Sequence, residues 1–349
     1  MRCPRCSAEV ARSLVTIDLE AIRSNARTLA ARLAPAELWA VVKADGYGHG
    51  AFDVARAALA GGARLLCVAS VGEGVEVRTE LPEARILVLG PTGVDDVAPA
   101  REASLELACL DGRVPDGLPV HLKLDTGMGR WGLSELPGPG RSVVGLMTHL
   151  ATADTDEGFA REQLERFEQA TASFAGRLAR HVAASAAVLA LPESHLDAAR
   201  CGIALYGIDP FGEDATRFGL RPALRWESEI AQVRRLTPGE STGYGRRFAA
   251  TEETWLGIVP VGYADGFRRD MTGTEVVVEG TRATVVGTIS MDALAVRLTA
   301  HVEPGATVTL VGDGVTLEEH ARVADTIAYE LACGIRSVPG RGSRTVRSG

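Results

Sequence analysis

Of the 37 lysines and arginines in this 349-residue chain, only Lys43 and Lys123 are lysine. A chain that uses arginine for its surface cations singles these two out as candidates for what a guanidinium cannot do, above all acting as a neutral amine nucleophile. A lysine amine attacks carbonyl carbon and forms Schiff bases. Other polar residues at the ends of apolar runs include Asp125, His149, Ser185 and Arg200, the last followed by Gly202 and Ile203. A serine hydroxyl beside glycine-adjacent amides suits a phosphate.

The elements that would carry these residues are short apolar runs alternating with helix-like or turn-rich segments. The runs are 38-LWAVVKA-44, 64-RLLCVAS-70, 85-RILVLG-90, 105-LELACL-110, 120-VHLKLD-125, 143-VVGLMTH-149, 180-RHVAAS-185 and 195-HLDAARCG-202. Near-continuous apolar strands alternating with helices indicate a parallel sheet covered on both faces, and eight of them close naturally into a (β/α)8 TIM-type barrel. The last two runs are the weaker strand signals. Ala51–Ala60 and Glu157–Arg180 read as helices, the second amphipathic. The link 111-DGRVPDGLP-119 is too short for a crossover helix and has two prolines, and the link to Ser142 contains PGPG. The expectation is therefore a barrel with one or two outer helices missing, unless one strand assignment is wrong.

Lys43 then ends strand 1, Lys123 and Asp125 strand 5, His149 strand 6, Ser185 strand 7, and Arg200 with Gly202 strand 8. All fall at strand C-termini, the face where barrel enzymes build their sites, and the loops after strands 7 and 8 are the usual phosphate position. A structural ion pair explains a lone strand-end lysine about as often as chemistry does. Here both lysines of the chain share one rim. A reactive lysine and a phosphate cradle at one mouth imply an aldehyde cofactor bearing a phosphate, and pyridoxal phosphate meets both requirements.

Beyond Arg225 the texture changes to short alternating runs between Gly and Pro turns, among them 228-SEIAQVRRL-236, 254-TWLGIVPV-261, 275-EVVVEG-280, 282-RATVVGTI-289 and 307-TVTLVG-312. This reads as a mainly antiparallel β domain. One helix, Leu317 to Ala332, opens with a Thr316/Glu319 capping box. The expected organisation is a tail over residues 1–12, a barrel over 13–225 and a β domain over 226–349.

Composition sets the outer bounds. The net charge of −8 argues against a nucleic-acid partner. No apolar run approaches the roughly 18 residues of a membrane span, and the start has no signal-peptide pattern. Cys67, Cys109 and Cys201 lie in apolar runs and read as buried. Cys3 and Cys6 form a CPRC pair with no second CxxC to complete a zinc site, so no metal is expected. Together these features point to a cytoplasmic setting.

The segment 40-AVVKADGYGHG-50 resembles the pyridoxal-phosphate lysine motif of bacterial alanine racemases. So do 123-KLDTGMGRWG-132, 148-THLATAD-154, 181-HVAASAA-187, 200-RCGIALYG-207, 242-TGYGR-246, 260-PVGYADG-266 and 290-SMD-292, in the family's order over nearly the whole chain. The resemblance implies interconversion of L- and D-alanine for peptidoglycan, with one base on each side of the α-carbon. Lys43 is then the Schiff-base lysine and one base; Tyr244 is the other, supplied by the partner subunit of a homodimer together with Met291 and Asp292 at the substrate end. Tyr47 and Ser185 hold the phosphate with the Gly202 and Ile203 amides. Arg200 faces the pyridine nitrogen, which a permanently charged guanidinium leaves unprotonated. His149 lies at the ring, and His181 bonds Arg200. Arg130 meets the phenolic oxygen and the substrate carboxylate, and Lys123 matches a position where carbamylation steadies that arginine. Tyr263, Asp154 and Arg269 match an entryway that admits only small amino acids.

Three departures bear on selectivity and cofactor contacts. Ala184 stands where the family usually has asparagine, Thr288 replaces a common gate arginine, and the ending 336-RSVPGR-341 lacks a phosphate-side tyrosine. They keep open a serine or broad-specificity racemase on the same scaffold. A non-enzymatic pyridoxal-phosphate carrier is the more distant alternative, because such proteins lack the β domain and with it a counterpart of Tyr244. A barrel decarboxylase is disfavoured by Arg200. His121, near a strand start, reads as structural.

Overall fold

The computed structural model describes residues 12–138 and 140–348, so the CPRC tail lies outside the described residues. The chain divides into two units, one of residues 19–211 and 215–221, the other joining the N-terminal strand to residues 212–214 and 222 onward. The N-terminal strand, β1 (Ser13–Asp18), pairs antiparallel with β10 (Leu224–Glu229) and parallel with β19 (Gly342–Arg347). It therefore belongs to the β unit, whereas the sequence reading starts the barrel at residue 13. The reason is visible in SLVTID: Val15 and Ile17 are buried while Leu14 is exposed. That two-residue alternation suits a half-buried antiparallel sheet better than a barrel strand covered on both faces.

Eight parallel strands close the barrel in chain order: β2 (Glu37–Val41), β3 (Leu65–Val68), β4 (Ile86–Val88), β5 (Glu106–Cys109), β6 (Val120–Lys123), β7 (Val143–Met147), β8 (Ala179–Ala184) and β9 (Ala198–Cys201). Each of the eight predicted runs coincides with one of these strands, the two weakest included, although β2 and β8 begin one residue earlier than their runs. β9 pairs back onto β2, with Trp39 beside Arg200 and Ala40 beside Cys201. Helices Ala51–Ala60, Val71–Glu80, Val97–Glu102, Glu157–Thr171 and Ser185–Ala190 follow strands β2, β3, β4, β7 and β8. No helix joins β5 to β6 or β6 to β7 among the described residues, as the proline and glycine content of those links requires. Helix Glu157–Thr171 is capped by Asp156, whose carboxylate accepts from the Phe159 amide at 3.1 Å. It is shorter than the Glu157–Arg180 expected, because β8 begins at Ala179 and Gly176 (φ +71°) turns the chain before it.

The other unit is built on a nine-stranded sheet in the order β11 (Gln232–Leu236), β14 (Thr254–Val259), β17 (Leu294–Leu298), β16 (Thr281–Val286), β15 (Glu275–Val278), β18 (Thr307–Val311), β10, β1, β19, with only the β1–β19 pair parallel. β12 (Ser241–Thr242) and β13 (Phe248–Ala249) form a separate hairpin. Trp226 and Phe267, both buried, pack at 5.9 Å in the core of this unit. The capping box at Thr316 and Glu319 forms as expected. The helix it opens stops at Val323 and a second runs from Ala328 to Gly334, because Asp325 takes a left-handed conformation (φ +48°) between them.

Candidate active site

Lys43 follows β2 by two residues and begins a turn in which Ala44, Asp45, Gly46, Tyr47 and Gly48 all have φ between 51° and 80°. Such a left-handed run costs roughly 1–2 kcal/mol for each residue with a Cβ, so it needs outside support. Glu73 provides it: its carboxylate accepts from the Ala44 amide at 2.9 Å and the Ala69 amide at 2.6 Å. Asp45 accepts from the Ala51 amide at 2.9 Å and so starts the next helix. His49 Nδ1–H donates to the Tyr47 carbonyl at 2.9 Å, fixing the turn.

That turn delivers Tyr47 to the end of β9. A Cβ on Gly202 would sit 2.5 Å from the Tyr47 oxygen, so only glycine leaves the tyrosine its place. Beside it the Ser185 hydroxyl accepts from the amides of Gly202 (3.1 Å) and Ala204 (3.2 Å). Two hydroxyls and a cluster of backbone amides converge here with no carboxylate among these contacts. Neutral and amide donors of this kind suit a bound anion.

Arg200 is the centre of the site and is 3% exposed. One terminal nitrogen donates to His181 Nδ1 and to the His181 carbonyl, both at 2.7 Å. The other donates to the carbonyls of Thr148 (2.7 Å) and Val182 (3.0 Å) and to His149 Nδ1 (3.3 Å). The Nε–H is the donor these bonds leave unused. Burial lowers the guanidinium to about 10, which still leaves it charged at neutral pH.

Because Arg200 only donates, His149 and His181 must accept through Nδ1, and both rings are neutral. Burial, reinforced by the charges of Arg200, Lys123, Arg130 and Lys43, pushes His149 down to about 3. Burial and Arg200 hold His181 well below the usual imidazole range. Arg200, Lys123, Arg130 and Lys43 thus all lie near enough to His149 for their charges to act on it. Gln163, buried on helix Glu157–Thr171, donates to the His149 carbonyl at 3.2 Å and accepts from the Ala151 amide at 2.8 Å, clamping the loop that presents the histidine.

Lys123, 4% exposed, closes β6. Burial, then Arg130 and Arg200, lower its ammonium from 10.5 to about 8. The Lys123 nitrogen and the Arg130 guanidinium carbon lie 6.0 and 5.3 Å from the Trp131 ring centre. Asp125 gathers the amides of Gly127, Met128 and Gly129 and so fixes the turn carrying Arg130. Asp154 is exposed on the loop after β7.

The remaining candidates lie in the β unit. Tyr244 is 74% exposed in a short turn between Gly243 (φ +75°) and Gly245 (φ +72°), and the Thr288 hydroxyl donates to its carbonyl at 2.8 Å. Tyr244, Thr288, Ser290 and Leu294 line a cavity of about 410 Å³. The 290-SMD-292 turn is clasped by the amides of Tyr263 and Ala264, which donate to the Ser290 and Met291 carbonyls at 3.1 Å. Gly262 is required there, since a Cβ would overlap the Met291 carbonyl. Met291 and Tyr263 are exposed, and so is Arg269 in the turn Arg269–Met271. The Asp292 carboxylate accepts from Arg341 at 2.7 Å and from Arg12 at 3.4 Å, and Arg341 above all holds it below the usual carboxylate range.

One residue set aside as structural sits deep in this network. His121 is fully buried inside the barrel, its Nδ1 2.9 Å from His181 Nε2 and its Nε2 2.9 Å from Glu106. The signal in the sequence was Gly145 on the neighbouring strand, where a Cβ would overlap the His121 ring. Among the described residues no group of three or more His, Cys, Asp or Glu side chains could hold a metal ion, and no helix is long and apolar enough to cross a membrane.

Comparison with known proteins agrees over most of the length. The family "Alanine racemase, N-terminal domain" matches residues 17–210, and "Alanine racemase, C-terminal domain" matches residues 223–341. The alanine racemase of Symbiobacterium thermophilum is 40% identical, with 93% of this chain and 95% of that protein covered. Alanine racemase 1 of Bacillus subtilis is 37% identical, covering 92% and 90%. The crystal structure of alanine racemase from E. faecalis superposes with a TM-score of 0.87 at 34% identity, over 97% of this chain and 98% of that one. That of Streptomyces coelicolor A3(2) gives 0.88 at 36% identity, with the same coverage. With both halves matched, in order, on the two units that the fold separates, the chain belongs to the alanine racemase family, isomerases that act on amino acids.

Proposed function

We propose that this protein interconverts L- and D-alanine in the cytoplasm, with pyridoxal phosphate on Lys43, and thereby supplies D-alanine for peptidoglycan. The observation that carries the reading is the trapping of Arg200, whose five bonds through two nitrogens leave Nε–H as the donor for a ring nitrogen at the barrel mouth. The residues fit the cofactor: the Tyr47 and Ser185 hydroxyls with the Gly202 and Ile203 amides would hold its phosphate, and the glycine at 202 keeps that space clear. When bound, pyridoxal phosphate supplies the carbonyl that the amine of Lys43 or of the substrate attacks and the conjugated ring that acidifies the α-proton.

The chain's own groups divide the remaining work. The Lys43 amine takes or returns the α-proton on one face, and the Tyr244 hydroxyl does so on the other. Two bases are needed because one group cannot deliver a proton to the face opposite the one it deprotonates. Arg130 orients the substrate carboxylate, and a carbamylated Lys123 steadies Arg130. A lysine lowered to about 8 supports this role, because carbon dioxide attacks only a neutral amine. His149 lies beside the ring as a neutral imidazole. Tyr244, Met291 and Asp292 act on the partner subunit's barrel in a homodimer, a reading supported by the exposure of Tyr244 and Met291 in their own unit. Tyr263, Asp154 and Arg269 restrict entry to small amino acids.

The test is L-alanine in deuterated water, following deuterium at the α-carbon and chirality together. Both should change in the holoenzyme, and their constancy would overturn the assignment. Tyr244→Phe should abolish abstraction from one enantiomer while exchange through Lys43 survives; equal mild losses in both directions would remove the two-base reading. A serine or broad-specificity racemase has one observation in its favour, the small Thr288 bonded to the Tyr244 backbone where the resemblance leads one to expect arginine. Comparing kcat/KM for the enantiomers of alanine and serine decides between them.

A further inference from the structure

We propose that Glu106 and His121 are positioning residues for Arg200, setting from the far side of the barrel core the proton arrangement that lets His181 accept its hydrogen bond. The polar chain runs Arg85, Glu106, His121, His181, Arg200 across strands β5, β6, β8 and β9. Arg85 grips both oxygens of Glu106, at 2.8 and 3.1 Å. Glu106 lies 2.9 Å from His121 Nε2, His121 Nδ1 lies 2.9 Å from His181 Nε2, and His181 Nδ1 lies 2.7 Å from an Arg200 nitrogen.

Only one assignment of protons satisfies every link. A carboxylate held by Arg85 only accepts, so His121 carries its proton on Nε2 and its Nδ1 is bare. His181 must then donate through Nε2–H, which leaves its own Nδ1 bare toward Arg200. If His121 took the other tautomer, Nδ1–H would force His181 to accept at Nε2 and protonate at Nδ1. An N–H would then face the Arg200 N–H across 2.7 Å, donor against donor. Either histidine as a cation would set a second buried positive charge near Arg200; burial opposes this at both, with Glu106 pulling the other way only at His121.

The surrounding packing is shaped for this chain. Gly145 on β7 leaves room for the His121 ring, and it is not there for an unusual backbone angle, since its φ lies outside the left-handed region. Trp39 packs against both rings, at 5.6 Å from His121 and 4.4 Å from His181. The buried carboxylate is thus the counter-charge two rings removed from the buried guanidinium.

This inference rests on the proposed function only for what Arg200 meets at the mouth; the proton order is a property of the chain itself. Nitrogen-15 NMR of the histidine-labelled holoenzyme reads it directly, because protonated and bare ring nitrogens resonate far apart. The wild type should show Nε2–H and bare Nδ1 at both His121 and His181. Nδ1–H at His181 would overturn the proposal, with no variant required. Glu106→Leu should give His181 a mixed or reversed tautomer. It should also shift the absorption band of bound cofactor and lower kcat about 10- to 100-fold with KM for alanine changed less than about 2-fold, as expected when support behind a site residue is removed. Glu106→Gln keeps an acceptor oxygen and should restore the wild-type tautomer. An unchanged His181 tautomer in Glu106→Leu would sink the idea, as would a fall in activity carried by KM. A wild-type spectrum as expected from a protein that fails to racemise alanine would overturn the proposed function and leave this inference standing.

Discussion

Because the chain has two lysines, its amine chemistry can be watched one nitrogen at a time. Lys123 is expected to be the amine that carbon dioxide modifies, and the structure sets the scale. Burial and the neighbouring arginines bring its ammonium from 10.5 to about 8. At pH 7 the neutral fraction rises from about 0.03% to about 9%, a gain of roughly 300-fold in reactive amine. With lysine labelled at the ε-carbon, Lys43 and Lys123 should give separate signals, and in carbon dioxide-free buffer the Lys123 signal should titrate near pH 8. Adding 13C-bicarbonate at pH 7.5 should produce one carbamate carbon, absent in Lys123→Ala. Arg130→Leu removes the largest charge acting on Lys123 and should move the midpoint upward, reducing the carbamate. A Lys123 midpoint at or above about 10, or a carbamate that survives Lys123→Ala, would refute the reasoning.

Three further outcomes follow from the geometry. Gly202→Ala pushes a methyl into the Tyr47 oxygen, and overpacking of about 1–3 kcal/mol should weaken pyridoxal phosphate binding about 5- to 150-fold, measured by equilibrium dialysis. Glu73→Ala strips two amide bonds, one from the turn beside Lys43 and one from Ala69 after β3, and should cost about 1.5–3 kcal/mol or more in denaturant unfolding, with faster hydrogen exchange at Ala44 and Ala69. His149 has a folded-state value near 3 against an ordinary 6.5, so the unfolded chain takes up its proton first as pH falls. Stability from this group is full above about 6.5 and declines toward 3 by up to about 1.4 kcal/mol per pH unit, and His149→Gln should flatten the acid side of the stability curve by that slope.

The barrel was legible because apolar runs and the residues that end them are local properties. Proline and glycine in the links after Leu110 and Thr126 likewise announced where helices could not form. What escaped was set by partners distant in sequence. β1 pairs with strands that lie some 210 and 330 residues later, and only its alternation hinted at that. The helix begun at Thr316 was read through Asp325 because its apolar spacing continues past the break. The partners of His121 were hidden because a strand buried on both faces carries no periodic sign of which side chains point inward. Its partners Glu106, His181 and Gly145 come from three other strands, and no single segment reveals that they meet.

The left-handed turn after Lys43 also bears on how this site tolerates change. Ala44, Asp45 and Tyr47 occupy a conformation that most residues resist, so the segment's shape is imposed by Glu73 and its neighbours and not by its own preferences. Mutational drift in this enzyme should therefore fall unevenly. Glu73, remote from the reaction in role, becomes as hard to replace as a residue that touches substrate. The alanine at 44 could pass to glycine with relief of strain. The shape of the lysine turn is in that sense inherited through a glutamate on the helix after β3, and a designer moving this turn into another barrel would have to bring Glu73 with it.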